Sequence, residues 1–246
     1  SLAILYSGYN IWNAHQIQVR HINVRMKNLP AQWRGKTILQ LSDVHLGDIR
    51  GVKFLNKIAG MSNAQDPDIV AITGDLFDGM ERSLADFVEP LKEIRAKNGI
   101  FFITGNHETY LGVEKAINVI KQTDIKYIDN EIVHIDGLQI IGIGYGRSFE
   151  KPDIRAIIAS KDNYDLKMPS VLFCHVPIAG QIKVAKESGI ALQLSGHTHR
   201  GQMFPFRYIT HLVYKGYDYG LYRVGDFSEY TTNGVGTWGP PMRSGG

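Results

Sequence analysis

The sequence predicts an α/β fold, and three observations support this prediction. Short apolar runs such as DIVAITGD (68–75) and GIFFITGN (99–106) end in polar turns that contain glycine. Segments with helical periodicity, such as VKFLNKIAGMSN (52–63), lie between several of these runs. The alternation repeats at about 30 residues, which is typical of α/β layers whose strands are buried on both faces.

Each element follows from its local pattern. We predict strands at 37–43, 68–75, 99–106, 138–144, 170–175 and 191–197, and helices at 52–63, 82–97, 113–123 and 178–189. Residues 15–29 alternate apolar and polar side chains with a period near two, which predicts one or two half-buried strands. After Gly201 the chain is rich in aromatic residues and glycine, and KGYDYG predicts the turn of an antiparallel hairpin that closes the sheet, before a surface loop.

Length and composition limit the class of protein. With 246 residues, we expect an N-terminal segment (1–36) packed on a single domain (37–246). The content of 43% hydrophobic and 21% charged residues fits a soluble domain with a large core. The net charge of +3 argues against nucleic acid as a partner and suits an anionic substrate in a local cationic pocket. A single cysteine, Cys174, excludes an internal disulfide and a cysteine-based zinc site.

The opening SLAILYSGYNIW is apolar, but its 12 residues are too few to span a bilayer. Two interpretations stay open. It is either the end of a removed membrane segment or signal, or a segment that packs on the domain.

Possible metal ligands follow five of the six predicted strands. They are Asp43 and His45 in SDVHLG, Asp75 in TGDLFDG, Asn106 and His107 in TGNHE, His175 in FCHVP, and His197 and His199 in SGHTHRG. Ligands bind beyond the carboxyl ends of strands in open α/β sheets, so these side chains are expected to converge. The glycines before Asp75, Asn106 and His197 permit sharp turns that aim them at one point.

The chemistry of these residues fits a pair of divalent metal ions. Oxygen and imidazole donors without thiolate suit Mn, Fe or Zn, and we favour Mn. One carboxylate can bridge two ions about 3.5–4 Å apart, the spacing of two-metal hydrolytic sites. Two such ions carry more positive charge than Asp43 and Asp75 neutralise, and this surplus attracts an anionic phosphorylated substrate.

In this order, Asp-x-His, Gly-Asp, Gly-Asn-His-Glu, a lone His and Gly-His-x-His resemble the calcineurin-like metallophosphoesterases over residues 43–199. The resemblance implies a four-layer α-β-β-α sandwich around a dinuclear centre. The first metal would be held by Asp43, His45, Asp75 and His199. The second would be held by Asp75 as a bridge, Asn106, His175 and His197. By the same resemblance, Asn106 stabilises charge and His107 assists the leaving group.

The segment GVGTWGPPMR (234–243) and the N-terminal segment resemble one bacterial branch of that family. Its members carry an N-terminal membrane anchor or export signal and include phosphodiesterases and a UDP-diacylglucosamine pyrophosphatase. The resemblance implies membrane association through a missing N-terminal segment, on a side of the membrane that the sequence does not identify. It also favours a phosphodiester or pyrophosphate bond over a monoester, with a lipid-linked or nucleotide-linked substrate.

Several residues near the motifs have two interpretations. Arg200 and Arg243 are predicted to bind substrate phosphate, although each could be an ordinary surface arginine. Asp78 either hydrogen-bonds a histidine of the site or is a turn residue. Glu108 either orients His107 or lies at a solvated helix start. The aromatic residues between 204 and 222 form either the core of the hairpin or a rim for a lipid-linked or nucleoside substrate.

Three other functions compete with the diesterase. A phosphomonoesterase would share the whole ligand set. A metal-bound scaffold that recruits a partner at the membrane should lack a ligand or the histidine acid, and none is missing from the sequence. A nuclease should have clusters of Lys and Arg, which the sequence lacks.

Overall fold

Two β-sheets lie face to face in the computed structural model, which describes residues 2–79, 83–145 and 153–244. The first sheet is parallel and consists, in spatial order, of β1 (Ile38–Leu41), β2 (Ile69–Thr73), β3 (Ile100–Ile103) and β4 (Lys126–Tyr127). The second sheet has the order β5 (Glu131–Ile135), β6 (Leu138–Ile143), β7 (Ser170–Cys174), β8 (Leu192–Ser195), β10 (Phe227–Thr231) and β9 (Gly220–Val224). Its inner pairs are parallel and its two edge pairs are antiparallel.

Helices cover the outer faces of both sheets. The α-helices are α1 (Leu2–Ala14), α2 (Val52–Asn63), α3 (Val88–Lys92), α4 (Asn106–Leu111), α5 (Val113–Ile120), α6 (Ile154–Ala159), α7 (Ala179–Glu187) and α8 (Phe206–Val213). Helices α2, α3 and α5 pack on the first sheet, whereas α6 and α7 pack on the second. Within residues 2–79, 83–145 and 153–244, every helix is too short or too polar to cross a bilayer.

Successive residues of a central strand face different layers, which explains why these strands are apolar throughout. In β2, Ile69 and Ala71 lie in the core between the two sheets, whereas Val70 and Ile72 lie in the core under α2. The expected four-layer α-β-β-α sandwich is confirmed by this division of the core. The six predicted strands are also confirmed, each within a few residues of its predicted bounds.

The prediction of a strand within residues 15–29 is wrong. Helix α1 ends at Ala14, and residues 16–26 run along the sandwich without joining a ladder. The alternation has a different cause, since Ile17, Val24 and Met26 are the side chains of this segment that pack against the cores. Period-two alternation indicates that an extended segment is half-buried, but it does not indicate that the backbone of the segment pairs with a strand.

The hairpin after Gly201 exists but begins later than predicted. Residues 206–213 form α8 instead of a strand, and KGYDYG connects α8 to β9. The hairpin turn is Gly225–Asp226, where Val224 pairs with Phe227 and Gly225 has a φ of +66°. Aromatic residues that alternate over five positions also fit a helix, because a short window does not separate the two periods.

The predicted helix 82–97 is reduced to α3 with a 3₁₀ turn (Ala85–Phe87) before it. Pro90 explains the late start, because proline has no amide hydrogen and fits only the first turn of a helix. Helix α3 begins at Val88 and therefore places Pro90 in that turn.

Glu229 in β10 is a fully buried carboxyl group on the outer face of the second sheet. Its Oε1 accepts a hydrogen bond from Thr231 Oγ1 (2.8 Å), and it pairs in register with Gln193 of β8. Burial raises the pKa of Glu229 to about 8, although hydrogen bonds from Thr231 and Ser195 act in the opposite direction. The folded chain therefore keeps a proton that the unfolded chain loses near its ordinary pKa of 4.5.

We predict that this group destabilises the fold as pH rises. Between about pH 5 and 8 the folded state holds one more proton at Glu229, so the free energy of unfolding falls by up to about 1.4 kcal/mol per pH unit. The Glu229→Gln variant should remove this component, measured as the difference between the denaturant unfolding curves of the two proteins at several pH values. The Glu131→Gln variant, at an exposed position of β5, is the control. Parallel pH profiles for the parent and Glu229→Gln would contradict the assignment.

Candidate metal centre

The carboxyl ends of five strands from both sheets meet at one end of the sandwich. Beyond β1 and β2 the two chains stay paired, because Asp43 N–H donates to Gly74 O (3.1 Å) and His45 N–H donates to Asp75 O (3.1 Å). The two sheets are joined here by Gln40, whose Nε2 donates to Ser195 O (2.9 Å). Beyond these ends lie the predicted ligands.

Five of the predicted ligands have backbones in the left-handed region. Asp43, His45, Asp75, His197 and His199 have φ values between 46° and 68°. This conformation costs residues with a Cβ roughly 1–2 kcal/mol each, so the surrounding structure must impose it. Residues strained in this way cluster at functional sites.

The first cluster consists of Asp43, His45 and His199, whose donor atoms lie within 4.8 Å of one another. The Nε2 atoms of the two histidines face each other at 3.0 Å, and His199 Nε2 lies 3.5 Å from Asp43 Oδ1. The Asp43 carboxylate also accepts from His197 N–H at 2.9 and 3.0 Å, which fixes its orientation.

The second cluster consists of Asp75, His175 and His197, also within 4.8 Å. His175 Nδ1 donates to Thr73 O (2.8 Å), and this bond directs its Nε2 towards Asp75 Oδ2 at 3.1 Å. The ring of His197 lies edge-on to that of His175, with centroids 5.1 Å apart. Asp75 Oδ2 is also 4.0 Å from His45 Nε2. One carboxylate oxygen therefore lies between the two clusters.

The pKa values of the site residues reflect the interactions among their buried charges. Burial lowers the pKa of His175, but the Asp75 carboxylate outweighs it and raises the pKa to about 10. Burial works against ionisation of Asp75, yet His175 holds the pKa of Asp75 well below its usual range. Burial, followed by the neighbouring His45, lowers the pKa of His199 well below its ordinary value. These opposite shifts show that the buried carboxylates and imidazoles of the site interact strongly.

The donor set fits divalent metal ions. Asn106 Oδ1 is buried and has no hydrogen-bond partner among the described residues. Asn106 begins α4 between Gly105 and His107, both of which lie against Asp75 Oδ1. Two imidazole nitrogens at 3.0 Å need a shared proton or cation between them. Carboxylate, amide oxygen and imidazole are donors that Mn, Fe and Zn accept.

A family model described as calcineurin-like phosphoesterase matches residues 36–201, about two thirds of the chain. The chain belongs to this family. It is 35% identical over 212 residues to an "Uncharacterized metallophosphoesterase" of Helicobacter pylori, covering 84% of this chain and 56% of that protein. It is 31% identical over 256 residues to a "Transmembrane protein with metallophosphoesterase domain" of Danio rerio, covering 96% and 56%. The chain thus spans little more than half the length of these two relatives.

Among solved structures, a dimetal phosphatase from Danio rerio aligns with a TM-score of 0.49 at 12% identity, covering 84% of this chain and 89% of that one. Family membership agrees with the expected class of phosphoric ester hydrolase. The two clusters form a candidate dimetal site, and each contains three of the four ligands that the resemblance implies for one metal.

His107 lies beside the clusters with a defined orientation. Its Nδ1 lies 2.7 Å from Asp78 O, and its ring centroid is 4.5 Å from that of His45. Asp78 Oδ1 lies 3.5 Å from His45 Nδ1 and 3.9 Å from His107 Nδ1. Asp78 therefore lies beside both histidines, as the interpretation of a supporting residue requires.

The two predicted phosphate-binding arginines have other contacts in this structure. The guanidinium of Arg243 donates to Gly234 O (3.2 Å), Asn233 O (3.1 Å) and Gly236 O. This loop contacts Asp43, because Gly236 N–H donates to Asp43 O (2.8 Å). The guanidinium carbon of Arg200 lies 4.4 Å from the centroid of the Tyr219 ring. These contacts give Arg243 a role in loop support, and phosphate binding stays a prediction for both.

Glu108 has a role that neither interpretation of its sequence context foresaw. It is fully buried, and its carboxylate accepts from the N–H groups of Asp75 (3.0 Å), Phe77 (3.0 Å) and Gly105 (2.7 Å). Burial, followed by the charge of Asp75, raises the pKa of Glu108 to about 7. This residue joins the loop that carries Asp75 to the loop that carries Asn106. A charged residue directly after the Gly-Asn-His motif was the only signal in the sequence.

Two of the motif glycines are needed because a neighbouring residue lies too close for a Cβ, and not because their φ is positive. A Cβ at Gly105 would lie 2.2 Å from Asp75 Oδ1 and 2.6 Å from Asp75 N. A Cβ at Gly196 would lie 2.2 Å from Asp43 Oδ2. Gly74, with a φ of +92°, needs its glycine for conformation as well. The glycines let the strand ends come within ligand distance.

We predict that Glu108→Gln lowers the stability of the fold and weakens metal binding without abolishing folding. The glutamine side chain can accept hydrogen bonds only through its amide oxygen. Its NH₂ group would replace the other carboxylate oxygen and would face a backbone N–H that is itself a donor. The expected loss is about 1–3 kcal/mol in the free energy of unfolding, together with weaker metal binding in calorimetric titration. Glu89→Gln, on the exposed surface of α3, is the control. Unchanged stability and metal affinity in Glu108→Gln would contradict this role.

We also predict that Gly105→Ala abolishes high-affinity metal binding. The added methyl group would displace Asp75, which belongs to the second cluster and lies close to the first. Metal content after dialysis should fall, measured by plasma emission spectrometry. The matched control is Gly60→Ala in α2, where a Cβ meets no atom within 4 Å. Equal metal content in both variants would show that the close approach is not required.

Proposed function

We propose that this protein is a metal-dependent hydrolase of phosphoric esters that uses two divalent ions, with Mn favoured. The observation that carries the proposal is the position of Asp75 Oδ2, at 3.1 Å from His175 Nε2 and 4.0 Å from His45 Nε2. Such ions would polarise the phosphoryl group and lower the pKa of water towards about 7. Membership of the phosphoesterase family supports the same class of substrate.

His107 is the residue we assign to the leaving group. Its Nδ1 lies within hydrogen-bond distance of the backbone oxygen of Asp78, so Nε2 remains for a substrate oxygen. The ring is held between His45 and Tyr110, with centroids 4.5 and 5.2 Å away. A histidine held in this way can donate a proton to a departing alkoxide. Asn106, whose buried amide oxygen fits a metal, is assigned to charge stabilisation at the same helix start.

We further propose that the bond cleaved is a phosphodiester or pyrophosphate bond. A monoester dianion needs more cationic side chains than a diester monoanion, and Arg243 donates its hydrogen bonds to backbone carbonyls. Aromatic side chains flank the clusters, since Tyr214 lies 6.0 Å from His197 and Tyr110 lies 5.2 Å from His107, measured between ring centroids. They offer contacts to a second organic group, as in a nucleotide-linked or lipid-linked substrate.

Membrane association is part of this proposal. Two relatives, from Danio rerio and Bos taurus, are named transmembrane proteins, and the present chain spans 56% and 54% of their lengths. Fractionation of cells that express the complete gene product tests it, since a wholly soluble product would refute attachment. The mild net charge gives no support to nucleic acid as a partner.

We predict that His107→Ala retains its metal ions but loses turnover. General acid catalysis contributes about 10²–10⁴-fold, so kcat should fall by about this factor for a diester with an alkoxide leaving group. The loss should be smaller for a p-nitrophenyl diester, whose leaving group needs less protonation. His134→Ala, at an exposed position of β5, is the control. Parental rates on both esters would refute the role of His107.

The reaction class itself has a direct test. Chelation should abolish hydrolysis of bis-p-nitrophenyl phosphate, and Mn²⁺ should restore it at least as well as Zn²⁺ or Fe²⁺. Comparison of this diester with p-nitrophenyl phosphate and with a nucleoside diphosphate ester separates diesterase, monoesterase and pyrophosphatase activity. Bound metal without turnover on any of these compounds would favour a non-catalytic scaffold.

A further inference from the structure

Helix α8 exposes an apolar face beside the metal centre. Phe206, Ile209, Leu212 and Val213 are 52, 56, 78 and 66% exposed, and their spacing places them on one side of the helix. Arg207 and His211 project from the opposite side. A helix of a soluble domain normally turns its apolar face to the core, and α8 turns it to solvent.

Other exposed apolar residues lie on segments that are linked by hydrogen bonds to the chain before α8. Phe204 and Trp238 are 57 and 59% exposed. Gln202, two residues before Phe204, connects the two segments, because its Nε2 donates to Trp238 O (2.8 Å). The same C-terminal segment reaches α1, since Arg243 N–H donates to Asn10 O (3.0 Å), and α1 exposes Leu5, Tyr9 and Trp12. Helix α8, the segment 238–244 and α1 together form what we call the apolar surface.

The segments that contain the apolar surface carry charges of one sign. Residues 1–24, 196–217 and 232–246, which contain it, include five Lys and Arg residues and none of the 24 Asp and Glu residues of the chain. Arg207 and Lys215 are exposed next to the apolar face of α8. The acid that follows these segments, Asp218, is buried and lies 2.8 Å from His211 Nδ1.

We propose that the apolar surface docks on an anionic phospholipid bilayer, with α8 lying in the headgroup region and its apolar face against the acyl chains. Exposed Phe, Trp and Tyr side chains with nearby cations and no acids are the composition of interfacial helices. Each cation near an anionic surface adds to the attraction. A second copy of this chain is a poorer occupant, because these segments contain no acid that could pair with Arg207 and Lys215 of the copy.

The docking surface lies next to the metal centre. The ring centroid of Tyr214, at the end of α8, is 6.0 Å from that of His197. At the other end, a Cβ on Gly201 would lie 2.5 Å from the backbone nitrogen of Arg207, so α8 packs directly on the turn that follows His199. A bilayer that contacts α8 therefore lies beside the mouth of the site. The proposal does not depend on which bond the site cleaves.

The test compares a double variant in α8 with a single control variant, each of which replaces exposed aliphatic side chains by glutamine. Ile209→Gln/Leu212→Gln changes the exposed face of α8, and glutamine has almost the same helix propensity as leucine. Leu166→Gln changes a 72% exposed leucine before β7, at the opposite end of the sandwich from the metal clusters. Binding to sedimented vesicles of phosphatidylcholine and phosphatidylglycerol should fall about tenfold or more in the α8 variant and stay unchanged in Leu166→Gln. Hydrolysis of a soluble diester should be equal in all three proteins.

Lys215→Gln and vesicles of phosphatidylcholine alone test the contribution of charge. Both should weaken binding, and the effect of Lys215→Gln should shrink at high salt. Equal vesicle binding by the parent and Ile209→Gln/Leu212→Gln would overturn the proposal. So would a dimer, seen by light scattering, that this variant dissociates while neither protein binds vesicles.

Discussion

The burial of Asp43 and Asp75 is the interaction on which the rest of the site depends. Both carboxylates are almost fully removed from water, and imidazoles lie within 3.5 Å of them. An ionised group in such a place is costly unless a cation or a set of donors compensates it. His175 Nε2 lies 3.1 Å from Asp75 Oδ2, and the backbone N–H of His197 contacts both carboxylate oxygens of Asp43. Divalent ions held by the two clusters would compensate both carboxylates in the same way.

The fold creates this arrangement by bringing two sheets to one end. Three ligand-bearing strand ends come from the first sheet and two from the second, so neither sheet alone could hold both clusters. Glu108 and the motif glycines then fix the separation of the loops, the former through three N–H groups and the latter by lacking a Cβ. Five predicted ligands have a left-handed backbone, which is strained. Backbone hydrogen bonds that continue beyond β1 and β2 help to hold these residues in that conformation.

Much of this was accessible from the sequence, and the exceptions have physical causes. The strands were predictable because each central strand is apolar on both faces, and their polar ends marked the ligands. The division into two sheets is not contained in any strand, since β3 and β6 have similar composition but belong to different sheets. The predictions for residues 16–26 and for α8 are wrong because exposure and strand pairing depend on contacts with distant parts of the chain, which a local pattern does not contain. Glu108 was missed because its partners are backbone amides, which leave no trace in the side-chain pattern.

The misassigned helix also connects the site to its surroundings. Aromatic residues at 204, 206 and 208 would have been buried in a hairpin, but more than half of each side chain is exposed to water in the folded chain. A face of this kind persists on a soluble domain when something else covers it. The turn that carries His199 and Arg200 lies directly under α8, so whatever covers the helix also defines one wall of the approach to the metal clusters. The same short helix therefore connects the candidate metal site with the surface that we propose to dock on the bilayer.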